Sequence, residues 1–169
     1  EITVACYIRF IGRRIPYICE YLLSNAKSYM EKKGYKLNVL FFGIDKKNRF
    51  NGATNLGKLS REELFELYKK CDFGMTASMS NISLVPYEML ATGLPLVEFR
   101  NGSYKFFLGD DTALLIDFDY KELADKIIET VKSPEILEKM HENVEKKLKK
   151  LSWDNTCEQF WNILNSVKE

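Results

Sequence analysis

A single histidine, four prolines and four scattered cysteines stand among 169 residues, and each scarcity removes a class of chemistry. With one imidazole, His141, neither a His-based metal site nor a Ser-His-Asp triad is expected. His141 lies in a charged helical stretch, where a solvated role is expected. Cys6, Cys19, Cys71 and Cys157 have no CxxC spacing and fall mostly in apolar patterns. They are read as reduced, buried thiols of a cytoplasmic protein. No apolar run approaches the roughly 20 residues of a membrane span, and no signal peptide is visible. Charge of one sign is also lacking: 25 basic residues face 24 acidic ones, for a net charge of +1. With a pI of about 7.8, that balance argues against a nucleic-acid partner. There is no GxGxxG and no Walker loop, which weakens a dinucleotide-binding or P-loop reading. The chain starts at Glu1, directly in a strand pattern, and is expected to be a piece of a longer protein.

What is present is a regular alternation. With 46% hydrophobic residues and a mean hydropathy of −0.26, one globular domain spanning residues 1–169 is expected. Short β-like runs occur at Ile2–Ile8, Leu37–Gly43, Phe73–Ser78, Leu94–Phe99 and Ala113–Phe118, and Asn55–Gly57 gives at most a very short strand. Between them lie helical periods. One opens at Pro16 and ends at Gly34. Another is started by a capping box of Ser60 and Glu63. A short one is stopped by Gly93. Three more close the chain: one after a second expected box, Asp119 with Glu122, one after Ser133-Pro134, and one capped by Ser152. The last has an apolar stripe of Trp153, Cys157, Phe160, Leu164 and Val167. Strand–helix alternation predicts an α/β, Rossmann-like parallel sheet with helices on both faces. In such sheets ligands bind beyond the carboxyl ends of the strands. The topology therefore collects Arg9, Arg13, Arg14, Ser80, Asn81, Ser83 and Glu88 at one rim, provided that the first strand neighbours the strand ending near Ser78.

The chemistry of that rim suits a phosphorylated, hydroxyl-rich ligand. Arg9, Arg13 and Arg14 precede a helix start, where guanidinium groups and free N–H groups favour a diphosphate; a solvated basic loop is the alternative. Glu88, early in a helix that begins after Ser83, is placed to accept from both hydroxyls of a vicinal diol such as ribose. A carboxylate stabilised only by the helix dipole is the competing reading. Asp117-Phe118-Asp119 spells DxD, but Asp119 is a helix cap and Asp117 ends a strand, so no metal site is expected.

These features resemble a known family. The segment NLGKLSREELFELYKKCDFGMTASMSNISLVPYEMLATGLPLVE, Asn55 to Glu98, is similar to the C-terminal half of retaining family-four glycosyltransferases of the two-domain GT-B fold. "SLVPYEM" is most similar to a subgroup that includes rhamnosyltransferases of cell-surface polysaccharide synthesis. The closing "LSWDN" and its helix fit as well. The resemblance implies that the domain binds a nucleoside-diphosphate sugar donor, with no cofactor. In the family a pair of glutamates stands at a fixed spacing. The second, which holds the ribose, aligns with Glu88. The first, which contacts the donor sugar, is replaced by Ser80, which brings no charge. Asn81, Ile82 and Ser83 match the loop facing the sugar and diphosphate. Arg9 with Arg13 or Arg14 stands nearest to the phosphate-gripping basic pair, without the usual lysine. Leu56-Gly57 falls where the base rests.

The resemblance further implies transfer with retained anomeric configuration, with the leaving diphosphate stabilised electrostatically. The acceptor site would belong to an N-terminal domain absent from this chain, so the isolated domain is expected to be inactive. The partners implied are the donor, that missing domain and a lipid-linked acceptor. Lys146, Lys147, Lys149 and Lys150 with Trp153 offer contact with an anionic membrane surface at its inner face, against the preferred reading of a solvated helix face. Two alternatives stay open: a sugar-nucleotide epimerase-like domain and a non-catalytic nucleotide-sugar-binding module.

Overall fold

Six consecutive residues, Ile2–Tyr7, form β1, four of them buried, as expected of a strand covered above and below. The computed structural model describes residues 1–10, 16–78 and 81–167. In it β1 pairs in parallel with β2 (Leu37–Phe42) on one side and β4 (Phe73–Met75) on the other, and β2 pairs with β3 (Thr54–Asn55). β5 (Val97–Phe99) and β6 (Leu114–Ile116) make a second parallel pair. A parallel bridge between Gly74 and Leu96 joins the two, with Gly74 N–H donating to the Pro95 carbonyl at 2.8 Å. The order is thus β3-β2-β1-β4-β5-β6. It runs outward in both directions from the β1–β4 junction.

Helices cover both faces, as expected. On one face α1 (Pro16–Lys32) and α5 (Tyr120–Lys132) bring Cys19, Leu22, Ala26, Leu123 and Ile127 onto Val4, Cys6, Val39 and Phe41. On the other face are α2 (Arg61–Lys70), α3 (Leu84–Ala91), α4 (Ser103–Phe107) and α6 (Pro134–Leu148). They cluster Leu67, Tyr68, Met89, Leu90, Tyr104 and Val144 with Ala5, Phe42, Leu96 and Leu115. Each such large side chain contributes about 1.5–3 kcal/mol by leaving water.

Several local expectations hold. Ser60 and Glu63 form the reciprocal box at the start of α2: Glu63 N–H donates to Ser60 Oγ at 3.2 Å, and Ser60 N–H to Glu63 Oε2 at 2.7 Å. Ser152 accepts from Asn155 N–H at the start of α7 (Trp153–Ser166).

Others are corrected. β4 stops at Met75 rather than at Ser78, because the backbone turns through Ala77 at φ 42°. α4 has no counterpart in the sequence pattern. Asp119 accepts from Lys121 N–H at 2.8 Å, but Glu122 does not close a box with it; Glu122 accepts instead from Asp117 N–H at 2.8 Å. The stripe of α7 is exposed, with Trp153 at 85% and Val167 at 78%, and the helix has no buried residue. Cys6 and Cys19 are buried, but Cys157 is exposed on α7, so it is not the buried thiol expected. Cys71 is half-buried, and burial, with the neighbouring Asp72, pushes its thiol up to about 11. His141 is not merely solvated: its Nε2 lies 2.9 Å from the Gly93 carbonyl, tying α6 to the turn that ends α3.

Beyond β5, Arg100 gathers the ends of the second strand pair. Its guanidinium meets Asp110 at 3.0 Å, Asp117 at 3.6 Å and Glu122 at 3.3 Å, and donates to the Leu115 carbonyl at 2.7 Å. Lys126 adds a second cation to Glu122 at 3.1 Å. Burial pushes the Glu122 carboxyl up. The Asp117 N–H, Lys126 and Arg100 together outweigh that effect and hold it below its ordinary value. A depressed carboxyl stabilises the fold above its unfolded pKa, and that share is lost as pH falls through the folded pKa. Glu122→Gln is therefore expected to lower stability at pH 7 by about 1 kcal/mol and to shrink the difference in urea midpoint between pH 7 and pH 3.

Candidate functional site

A parallel sheet whose strand order reverses leaves a crevice beyond its carboxyl ends at the reversal, because the adjoining loops diverge to opposite faces. Here that crevice lies between β1 and β4. The condition set by the sequence is met, since β1 and β4 are hydrogen-bonded neighbours. Backbone bonds lock the neighbouring strand ends: Ile8 N–H donates to the Phe42 carbonyl at 2.9 Å, Leu56 N–H to Phe41 at 2.8 Å and Gly43 N–H to Gly57 at 2.8 Å. Gly43 has φ +104°, and a Cβ there would stand 2.6 Å from the Tyr7 ring and 2.8 Å from the Ile8 carbonyl. Only glycine allows that approach. It lets the Tyr7 ring lie 5.4 Å from that of Phe42.

The wall on the β4 side is built around a buried acid. Glu98, in the middle of β5, is 0% exposed. Its carboxylate accepts from Thr76 N–H at 2.7 Å, Thr76 Oγ1 at 2.7 Å and Ala77 N–H at 3.0 Å. The Tyr104 hydroxyl, from α4, accepts from Ser78 N–H at 2.8 Å and lies 2.7 Å from Thr76 Oγ1. Each hydroxyl has one proton to give. Thr76 donates to Glu98, so Tyr104 donates to Thr76, and the chain of bonds runs from the Ser78 amide to the acid. The network holds Ala77 in the left-handed region, which costs a non-glycine residue on the order of 1 kcal/mol. Nothing but an acid inside the apolar run LPLVEF hinted at this, and the expected site omits both Glu98 and Tyr104.

The structure places the expected residues as follows. Arg9 is exposed, two positions beyond Tyr7 at the end of β1; Asn81 and Glu88 are exposed, Ile82 and Ser83 half-buried, Leu56 half-buried and Gly57 buried. Arg13, Arg14 and Ser80 lie outside the described residues. Leu56, Ile82 and Tyr7 pack on one apolar cluster with Tyr68 and Met89, so the Leu56-Gly57 end and the Asn81–Ser83 loop face a common floor. Ser83 is the N-cap of α3, in extended backbone, but its side chain makes no capping bond.

Three buried side-chain hydroxyls are without a hydrogen-bond partner among the described residues: Tyr68, Ser78 and Ser83. Ser78 and Ser83 bracket the loop after β4, and Tyr68 lies on the common floor. Each unpaired group costs roughly 1–3 kcal/mol, so each calls for a partner beyond the protein, such as a ligand or water. Burial, then the Glu88 charge and Tyr7, push the Tyr68 phenol up, so it remains a donor at neutral pH.

A separate cavity of about 640 Å³, lined by Lys46, Lys47, Arg49 and Phe50 among others, opens over residues 43–53, which join β2 to β3 without a helix. It adjoins the crevice where Lys46 packs on Gly57. Among the described residues no group of three or more His, Cys, Asp or Glu side chains is arranged to hold a metal; Asp117 of the DxD pairs with Arg100. No described helix is long and apolar enough to cross a membrane.

The sequence model of the family described as glycosyl transferases group 1 matches residues 8–147, from the end of β1 through α6. The chain belongs to that family. Similar solved structures carry the same fold at low identity. Sucrose-phosphate synthase from Thermosynechococcus elongatus is 19% identical at a TM-score of 0.70, over 99% of this chain and 46% of that one. The alpha,alpha-trehalose 6-phosphate synthase of Burkholderia multivorans is 15% identical at 0.75, over 99% and 43%. Anabaena HepE, solved in complex with UDP and glucose, is 14% identical at 0.73, over 98% and 48%. The group 1 domain described here thus spans less than half the length of each. No curated protein matches its sequence. The comparisons establish a glycosyltransferase domain of GT-B type, without resolving the rhamnosyltransferase-like subgroup.

Tyr104→Phe removes the hydroxyl that joins Ser78 N–H to Thr76 and leaves a buried amide unpaired. The expected loss is about 2 kcal/mol, read as a lower urea midpoint with an unchanged m-value.

Proposed function

We propose that this group 1 glycosyltransferase domain binds a nucleoside-diphosphate sugar in the crevice between β1 and β4. The observation that supports the reading is the adjacency of β1 and β4, whose carboxyl ends lead to Arg9 and to the segment before α3, together with three buried hydroxyls that have no partner among the described residues. In this reading Arg9, with Arg13 and Arg14, takes the diphosphate. Glu88 accepts from the ribose hydroxyls, and Leu56-Gly57 supports the base. Asn81, Ile82 and Ser83 line the sugar and diphosphate, with Ser80 contributing a neutral contact. HepE, with its bound UDP and glucose, lends support by analogy of fold.

Within the complete enzyme the donor sugar passes with retained configuration to a surface polysaccharide or lipid-linked acceptor on the cytoplasmic side. The departing diphosphate is stabilised by fixed positive charge and oriented N–H groups. The acceptor is held by a second domain, so this chain alone binds donor but does not turn it over. A rhamnosyltransferase-like activity is the subgroup reading. In the basic stretch Lys146–Lys150, Lys147 donates to the Leu108 carbonyl and Lys149 pairs with Glu145 at 3.0 Å, which favours a solvated helix face over contact with an anionic membrane surface.

Titration of the chain with UDP, GDP and dTDP, followed by saturation-transfer NMR, tests the donor site. Binding of at least one at millimolar or lower concentration is expected. Glu88→Gln should weaken it about tenfold, or 1.4 kcal/mol. A folded chain that binds none of the three at millimolar concentration overturns the reading.

A further inference from the structure

The segment 43–53 carries β2 to β3 without a helix, although a parallel crossover usually contains one. β3 pairs with Leu40 and Phe41, near the carboxyl end of β2, so the segment stays at that end of the sheet. Its backbone is tied down. The Asn55 side-chain amide donates to the Asp45 carbonyl at 2.8 Å and to the Asn48 carbonyl at 3.0 Å. Asn51 N–H donates to Glu20 of α1 at 2.6 Å, and the Asn51 carbonyl accepts from Ser24 Oγ at 2.7 Å. The Phe50 ring meets Phe41 edge-on at 4.7 Å. None of these contacts uses a cation of the loop. Between residues 45 and 58, Lys46, Lys47, Arg49 and Lys58 face a single acid, Asp45, in a chain whose net charge is only +1. Even with Glu20 counted, four cations face two acids. Lys46 and Arg49 have no ion pair among the described residues, and Lys47 approaches Asp45 only at 4.0 Å. Lys46, Lys47 and Arg49 line, with Phe50 and Asn55, the cavity of about 640 Å³.

We infer that this cavity is a second anion-binding site, which takes free diphosphate or the phosphate group of a small phosphorylated ligand. It is distinct from the proposed donor crevice and does not rest on that reading. Three cations projecting from one fixed loop repel one another, and a multiply charged anion among them relieves that repulsion. Arg49 offers paired N–H groups and the lysines offer point charges, while Phe50 supplies an apolar wall. The bonds that fix the loop come from Asn, Ser and Glu side chains, so the cations are spare for a ligand and their removal leaves the loop standing.

The test follows the backbone amides of residues 45–55 by NMR while inorganic pyrophosphate or glycerol phosphate is added. Sodium chloride at matched ionic strength is the reference, because exposed charges respond to screening alone. Saturable shifts in the millimolar range are expected with at least one of the two probes, the stronger telling free diphosphate from a phosphate ester, and none with chloride. In the double variant Lys46→Gln/Arg49→Gln the shifts should disappear at an unchanged melting temperature. In Arg9→Gln they should persist, since the donor crevice is a different site. The inference is overturned if neither probe moves residues 45–55 beyond the chloride reference, or if the shifts survive in the double variant. It is also overturned if Arg9→Gln abolishes them; the anion is then held at the donor crevice, whose reading stands. Failure of the donor reading shows separately, as nucleotides that do not bind while pyrophosphate still shifts residues 45–55.

Discussion

The carboxylate of Glu98 is the constraint on which the site depends. A buried acid is tolerated only when its lone pairs are filled, and here they draw in the backbone of Thr76 and Ala77 together with the Thr76 hydroxyl. Those bonds end β4 early, bend the chain through Ala77 and recruit Tyr104 from α4 to hold Ser78. β5 thus supplies the geometry of a loop that belongs to β4. The short helix α4 has a purpose in this arrangement: it delivers one phenol to the network.

That loop matters because of where the sheet reverses. With β1 and β4 adjacent, the segments leaving them separate to opposite faces, and the floor between them is the aromatic group of Tyr7, Phe42 and Tyr68. Arg9 follows β1, and α3, which carries Glu88 and is preceded by Ser83, follows β4; in the proposed reading they would meet a phosphorylated, hydroxyl-rich ligand over this apolar base.

The sheet and its helices were legible from periodicity, because buried parallel strands are short apolar runs and Ser60-x-x-Glu63 marks a helix start. The meeting of the β1 and β4 ends was expected only on condition that the two strands are neighbours, and the structure meets that condition. The acid singled out by sequence, Glu88, turned out to be exposed, whereas the one that organises the turn is Glu98, in the next apolar run. Pattern reading treats both as interruptions and has no means of pairing Glu98 with Thr76 and Tyr104 across more than twenty residues. Asp119 and Glu122 failed as a box because the Glu122 carboxylate is already taken by the Asp117 amide, by Lys126 one turn further along α5, and by Arg100 from beyond β5. A helical pattern shows that the Tyr68 ring is buried, not that its hydroxyl has no partner among the described residues.

The final helix, α7, has an independence of its own. Among the described residues it contributes no buried side chain to either cluster, so its helix–coil equilibrium is expected to couple only weakly to melting of the sheet. Its amides exchange with solvent through local opening, governed by the Ser152 cap and nearest-turn contacts. Those of β1 open only when the whole domain does. Two populations of backbone protection within one polypeptide are the natural result.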